Sequence, residues 1–176
     1  MKKFNAEIIS ILGAPGVGKS TFAAKLFAEM KIRGVNVEIC TEFIKDKIWE
    51  NHTMALSNQL YIFSSQYFKL CCVADKADIV ISDGALITEP IYNNYEEPMR
   101  SHLNLLVHDV ETHFNNHYYF IRHSENEYKD FGRLHSKEES KEKENLLIKF
   151  LNENKVSFKM ISNNDEGINT VLENFI

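Results

Sequence analysis

The chain has 176 residues, 44% hydrophobic and 26% charged, a composition that excludes a disordered chain and suits one domain with a sizeable core. Its formal net charge of −5 disfavours broad electrostatic binding to nucleic acid, though it leaves room for a local basic groove. Cys40, Cys71 and Cys72 form no C-x-x-C, and no apolar run is long enough for a signal peptide or a membrane span, so reduced thiols and a cytoplasmic location are expected.

Glu7 to Leu12, mostly apolar and β-branched, predicts a buried strand. Next comes Gly13-Ala14-Pro15-Gly16-Val17-Gly18-Lys19-Ser20-Thr21, which fits G-x-x-x-x-G-K-[ST], the phosphate-binding P-loop. Ser20 to Arg33 predicts a helix with Phe22, Ala23, Leu26, Phe27 and Met30 on one stripe and Gly34 as its stop. The motif therefore has the strand–loop–helix context that its mechanism needs. Glycines let successive N–H groups point at phosphate oxygens, and the helix N-terminus adds partial positive charge. Lys19 can reach the β- and γ-phosphates, and the Ser20 hydroxyl can ligate Mg²⁺. ATP and Mg²⁺ are the cofactors this implies.

Val35 to Cys40 predicts a second strand ending at Thr41-Glu42. Asp46 to Asn51 predicts a short helix, and His52 to Ser57 a loop. Ser57 or Asn58 caps a long helix running to about Lys76, with Leu60, Phe63, Tyr67, Leu70, Cys71 and Ala74 inward. Asp78 to Gly84 predicts a short buried strand ending in an acid and a glycine. Residues 85 to 100, with Pro90 and Pro98, predict an irregular or partly helical surface segment. Ser101 to Phe114 predicts a helix with Leu103, Leu106, Val107, Val110 and Phe114 inward, and His117 to Ile121 a fourth strand. Ser124 to His135 is polar. Ser136-Lys137-Glu138-Glu139 is a capping box opening a helix to about Asn154 that buries Leu146, Leu147, Phe150 and Leu151. The mixed charges from Lys137 to Glu144 mark a solvated helix face. Val156 to Ile161 predicts a fifth strand, and Ile168, Val171, Leu172 and Phe175 a closing helix. The alternation gives an α/β fold with a parallel sheet. One domain is expected over residues 1–176, with a lid-like segment at about 123–136.

In open α/β sheets, ligands bind beyond the carboxyl ends of the strands. Those ends carry the P-loop, Glu42, Asp83, Arg122 and Ser162-Asn163-Asn164. Asp83 is placed to hold Mg²⁺ opposite the P-loop hydroxyl; its other reading is an ordinary turn acid in Asp-Gly. Glu42 is placed to orient or deprotonate an acceptor hydroxyl, with Asp46 in reserve; its other reading is a cap for the helix that follows. Arg122 and Arg133 flank the polar segment, and Arg133, preceded by Gly132, is the candidate lid cation. Arg33 suits a helix C-terminus, and Arg100 suits either an acceptor contact or solvent. Gln59, Tyr61, Phe63, Gln66 and Tyr67 can stack on or hydrogen-bond a base, or simply fill the core. The seven histidines show no metal-ligand spacing.

With these residues placed, the chain resembles the small P-loop ATPase/kinase family related to the ribosylnicotinamide kinase domain, many of whose short members come from bacteriophages. The P-loop, "GVNVEICTEFIKDKIWE", "NQLYIFSSQ", "ADIVISDGALIT" and "FGRLHSKEE" carry the resemblance over nearly the whole chain. It implies a P-loop NTPase three-layer sandwich with a five-stranded parallel sheet in the order 2-3-1-4-5. It implies ATP at Gly13, Gly18, Lys19, Ser20 and Thr21, a strand-end acid at Asp83 and a lid arginine at Arg133. Ala14, Pro15, Gly16 and Val17, by their place in the motif, and Arg122, by its place past strand four, complete the expected ATP contacts. Relatives usually place Ser and Pro after that acid, whereas this chain has Gly84-Ala85, which leaves the acceptor unnamed. The expected activity is transfer of the γ-phosphate of ATP to a hydroxyl of a nucleoside- or nucleotide-type acceptor, with Lys19, Glu42, Asp83 and Arg133 as the catalytic set. A kinase of hydroxymethylated pyrimidines in DNA and a non-kinase ATPase switch are the alternatives. The oligomeric state is open, a homodimer included.

Overall fold

The computed structural model describes residues 3–122 and 137–176, the side chains of Lys137 and Glu138 excepted. Five strands, β1 (Glu7–Leu12), β2 (Val37–Cys40), β3 (Ile79–Asp83), β4 (Asn115–Ile121) and β5 (Phe158–Ile161), form one parallel sheet in the order β2-β3-β1-β4-β5. This is the predicted order. β1 pairs with β3 (Ile9 opposite Ile81) and with β4 (Ile9 opposite His117), so it is central and covered on both faces. That explains its near-continuous apolar run.

Side chains alternate between the two faces. On one face Ile9, Ile11, Ile81, Tyr119 and Ile121 pack against α1 (Lys19–Ile32) and α7 (Asp165–Leu172). On the other, Ile8 and Val80 pack against α4 (Gln59–Ala74) and α5 (Met99–Glu111), and Leu12 and Phe120 against α6 (Lys137–Glu153). Three layers result. α1 buries Phe22, Ala23, Leu26 and Met30, as its spacing predicts, while Phe27 is only partly buried. It ends with Gly34 N–H donating to Lys31 O and Val35 N–H to Met30 O, a paired closure at the predicted stop.

Several boundaries differ from the sequence expectation. The helix expected at 46–51 is α2 (Phe43–Trp49), and the loop expected at 52–57 contains α3 (Thr53–Leu56). His52 caps α3 by accepting from Ala55 N–H at 3.2 Å through Nδ1. Asn58 caps α4, its side chain accepting from Tyr61 N–H at 3.0 Å. The buried face of α4 is Gln59, Ile62, Phe63, Gln66, Leu70 and Ala74; Leu60 is exposed and Cys71 half-buried. The apolar stripe runs on through two glutamines, which bond inward rather than to water. Leu106 and Leu146 also face solvent. Within residues 85–100 a 3-10 helix, Leu86–Tyr92, buries Leu86 and Ile87 between α4, α5 and α6. β4 starts two residues early, because Asn115 and Asn116 continue the backbone pairing to β1. The proposed cap residue Ser136 lies outside the described residues. Among the described residues no helix is long and apolar enough to cross a membrane.

Candidate active site

The P-loop leaves β1 and enters α1 at Gly18, whose φ of 93° is a left-handed value that L side chains rarely adopt. A Cβ on Gly18 would stand 2.3 Å from Asn163 Nδ2. That amide donates to Val17 O at 2.7 Å, so the segment after β5 braces the loop at a point where only glycine fits. From the opposite side the buried Ser140 on α6 donates from Oγ to Pro15 O at 2.6 Å. Lys19 Nζ donates to Gly13 O at 2.9 Å and Ala14 O at 3.1 Å, which holds its ammonium over the loop. Loop shape and cation are therefore held by contacts within the chain itself.

Asp83 ends β3 with a buried side chain, 4% exposed, on the same side of the sheet as the loop hydroxyl. Between them sits a cation that sequence reasoning missed. Lys45 Nζ, on α2, donates to Ser20 Oγ at 2.6 Å and to Asp83 Oδ2 at 2.5 Å, and lies 3.4 Å from Glu42 Oε2. Burial works against the Lys45 charge, but the Asp83 and Glu42 carboxylates outweigh it and raise its pKa. Asp83 Oδ1 is buried with no hydrogen-bond partner among the described residues. A hydroxyl, a buried carboxylate with an oxygen to spare and a position already holding positive charge fit a hard divalent ion.

Glu42 precedes α2 but makes no side-chain capping bond. Its carboxylate lies instead against Gly84, where a Cβ would be 3.7 Å from Oε1 and where φ is 112°. The N-terminus of α2 is held by another group: Gln66 Oε1 accepts from Phe43 N–H at 2.6 Å. The capping reading of Glu42 thus gives way to a carboxylate facing the cavity, with Gln66 fixing the backbone beside it.

One cavity of about 570 Å³ connects these groups. Its lining joins the P-loop, Ser20 and Asp83, which Lys45 links to Glu42, with Trp49, the Gln59–Glu89 pair, Tyr92 and Lys143. Gln59 donates from Nε2 to Glu89 Oε2. Burial pushes the Glu89 carboxyl up to about 8, the Glu42 charge adds to the shift and the Gln59 bond offsets part of it. At neutral pH Glu89 therefore keeps its proton. Partial desolvation, then the Glu42 and Glu89 charges, raise the pKa of the Tyr92 phenol, whose side chain keeps an exposed edge. The side chain of Trp49 is 87% exposed at the cavity mouth.

Of the residues singled out from sequence, Gly13, Pro15, Gly16, Gly18, Lys19, Ser20, Thr21, Glu42, Gln59, Gln66 and Asp83 line this cavity. Ala14 and Val17 are buried beneath the loop and serve its packing. Arg122 does not line the cavity; it is exposed, with Nε 3.6 Å from Glu144 Oε1. Asp46 points away, 3.8 Å from Lys69 Nζ, and Arg100 donates to Tyr95 O at 2.7 Å outside the cavity. Tyr61, Phe63 and Tyr67 pack in aromatic pairs rather than lining it. Arg133 and the segment 123–136 lie outside the described residues. Sequence reasoning missed Lys45, Trp49, Glu89 and Tyr92. The signal for Lys45 was its place one helical turn after Glu42.

A family model described as AAA domain matches residues 8–166. No curated protein matches the sequence. Among solved structures, a NadR protein in complex with NR aligns with a TM-score of 0.74 at 17% identity, over 96% of this chain and 51% of that one. This chain thus spans about half the length of that protein. A thymidylate kinase from Ehrlichia chaffeensis aligns with a TM-score of 0.58 at 18% identity, over 96% of both chains. At such identities the likenesses establish the fold, and with the family match they bear out the resemblance read from the sequence.

Proposed function

The chain belongs to the AAA domain family, and from that premise we propose that it is an ATP-dependent phosphotransferase moving the γ-phosphate to a hydroxyl of a nucleoside- or nucleotide-type acceptor. The observation that carries this reading is the single cavity that continues from the P-loop past Glu42 to Gln59, Glu89 and Tyr92. An ATPase switch needs the first half of that cavity and has no use for the second.

In this reading the P-loop amides and Lys19 hold the β- and γ-phosphates. Ser20 and Asp83 hold Mg²⁺, which when bound neutralises charge on the phosphate oxygens. Glu42 orients the acceptor hydroxyl and takes its proton as the acceptor oxygen bonds to the γ-phosphorus and the bond to the ADP oxygen breaks. The work is positioning and electrostatics, which the braced loop and the Gln66 anchor of α2 supply. Arg133 keeps its sequence-based assignment as the lid cation. Gln59, the protonated Glu89 and Tyr92 offer donors and acceptors to the edge of a base or amide, with Trp49 as a stacking face.

The test is incubation with γ-labelled ATP and Mg²⁺ while acceptors are offered in turn. The NR bound by the NadR protein and the thymidylate named in the other relative indicate the first two, nicotinamide riboside and thymidylate. Free nucleosides and hydroxymethylated DNA follow. Label on a small acceptor supports the proposal; label on DNA alone moves it to the DNA-base alternative; label only in free phosphate overturns it.

A further inference from the structure

Lys45 is joined to residues 25 and 38 positions away, Ser20 and Asp83, at 2.6 and 2.5 Å, and to Glu42 at 3.4 Å. Ser20 and Asp83 are also the two groups assigned to the divalent cation. A magnesium ion takes oxygen ligands at about 2.0–2.1 Å. An ion that ligates both oxygens would draw on the same lone pairs that the ammonium now bonds, with like charge facing like charge a few ångströms apart. The two cations therefore compete for the same two oxygens. We propose that Lys45 is a built-in placeholder for the divalent cation, competing with it for the position between Ser20 and Asp83, so that metal binds tightly only together with nucleotide. The inference rests on the reading of Ser20 and Asp83 as the metal-holding pair.

Charge accounts for the direction of the switch. One ammonium faces the carboxylates of Asp83 and Glu42, which is balance enough to keep a buried acid folded without metal. Nucleotide phosphates bring further negative charge to the loop and tip the site toward a dication. Lys45 then gives up its place, tethered by α2 within one helical turn of Glu42. Metal and nucleotide affinities are thereby coupled, and the coupling is reciprocal.

The probe is Mn²⁺, followed by electron paramagnetic resonance on the full chain with and without a non-hydrolysable ATP analogue. The wild type is expected to bind Mn²⁺ weakly alone and tightly with the analogue. Lys45→Met is expected to bind Mn²⁺ alone about tenfold or more tightly than the wild type does, since a unit positive charge has left the site. Adding Asp83→Asn to Lys45→Met should abolish that gain. An unchanged or weaker affinity in Lys45→Met, or a gain that survives Asp83→Asn, overturns the proposal. If Lys45→Met is unfolded in chelator, millimolar Mg²⁺ should restore its folded circular dichroism, and failure to do so also overturns it. Should the wild type bind no Mn²⁺ even with the analogue, the underlying assignment of Ser20 and Asp83 falls instead.

Discussion

Gly18→Ala tests whether the phosphate loop is held in shape by the segment after β5. The new Cβ would stand 2.3 Å from Asn163 Nδ2, at a residue whose φ is 93°. The left-handed backbone costs about 1–2 kcal/mol for a residue with a Cβ. The side chain of Asn163 must also leave, and its bond to Val17 O at 2.7 Å is lost, at about 0.5–1.5 kcal/mol. The single variant should therefore lose about 1.5–3.5 kcal/mol, a fall in Tm of roughly 3–14 °C for a chain of this size. Asn163→Ala alone should lose about 1 kcal/mol, from the same bond. Because that bond can be lost only once, the double variant should cost about 1 kcal/mol less than the sum of the two. Urea denaturation of the four proteins measures this. Additivity within about 0.5 kcal/mol would show the two positions to be independent and refute the brace.

Three further outcomes are expected. Gln66→Leu removes the acceptor that holds Phe43 N–H at 2.6 Å, so Glu42 loses its fixed backbone; steady-state kinetics should show kcat lowered about 10–100-fold with the KM for ATP unchanged, and an unchanged kcat would sink this role. Lys19→Ala should weaken ATP binding and transfer by about 100-fold or more, measured by nucleotide titration and single-turnover transfer, because it removes the ammonium that the bonds to Gly13 O and Ala14 O hold over the loop; unchanged binding would contradict that role. Glu89 sits at about 8 in the folded chain against 4.5 when unfolded, so between those values the folded state keeps a proton that the unfolded state has lost. Its contribution to stability is full below pH 4.5 and is lost as pH rises toward about 8. Burial holds Glu111 at about 7, which adds to the same slope at lower pH. Denaturation from pH 5 to 9 should show Glu89→Gln losing less stability than the wild type, and parallel curves would contradict the assignment.

The donor half of the site is local and therefore legible. A strand, a glycine-rich turn and a helix adjacent in sequence are adjacent in space, and the strand ends at Glu42 and Asp83 follow from the parallel topology. The acceptor half depends on contacts between distant segments. Lys45 is one polar residue on a short helix until folding brings Ser20 and Asp83 to it. Glu89 lies beside Pro90, which suggests a surface turn, yet Leu86 and Ile87 anchor that segment in the core and turn the acid inward. On α4 the apolar residues alone point to Leu60; the true inner face runs through Gln59 and Gln66, which are buried because Glu89 and Phe43 N–H satisfy them. α3 escaped because histidine is an uncommon cap.

The most direct test of a phosphotransferase built around Glu42 is a single-turnover assay with γ-labelled ATP, Mg²⁺ and the acceptor panel, run on the wild type and on Glu42→Gln. The wild type should place the label on an acceptor hydroxyl. Glu42→Gln should bind ATP as before and transfer about 10²–10⁴-fold more slowly. Label found only in inorganic phosphate with every acceptor, or equal transfer rates in the two proteins, would contradict the account.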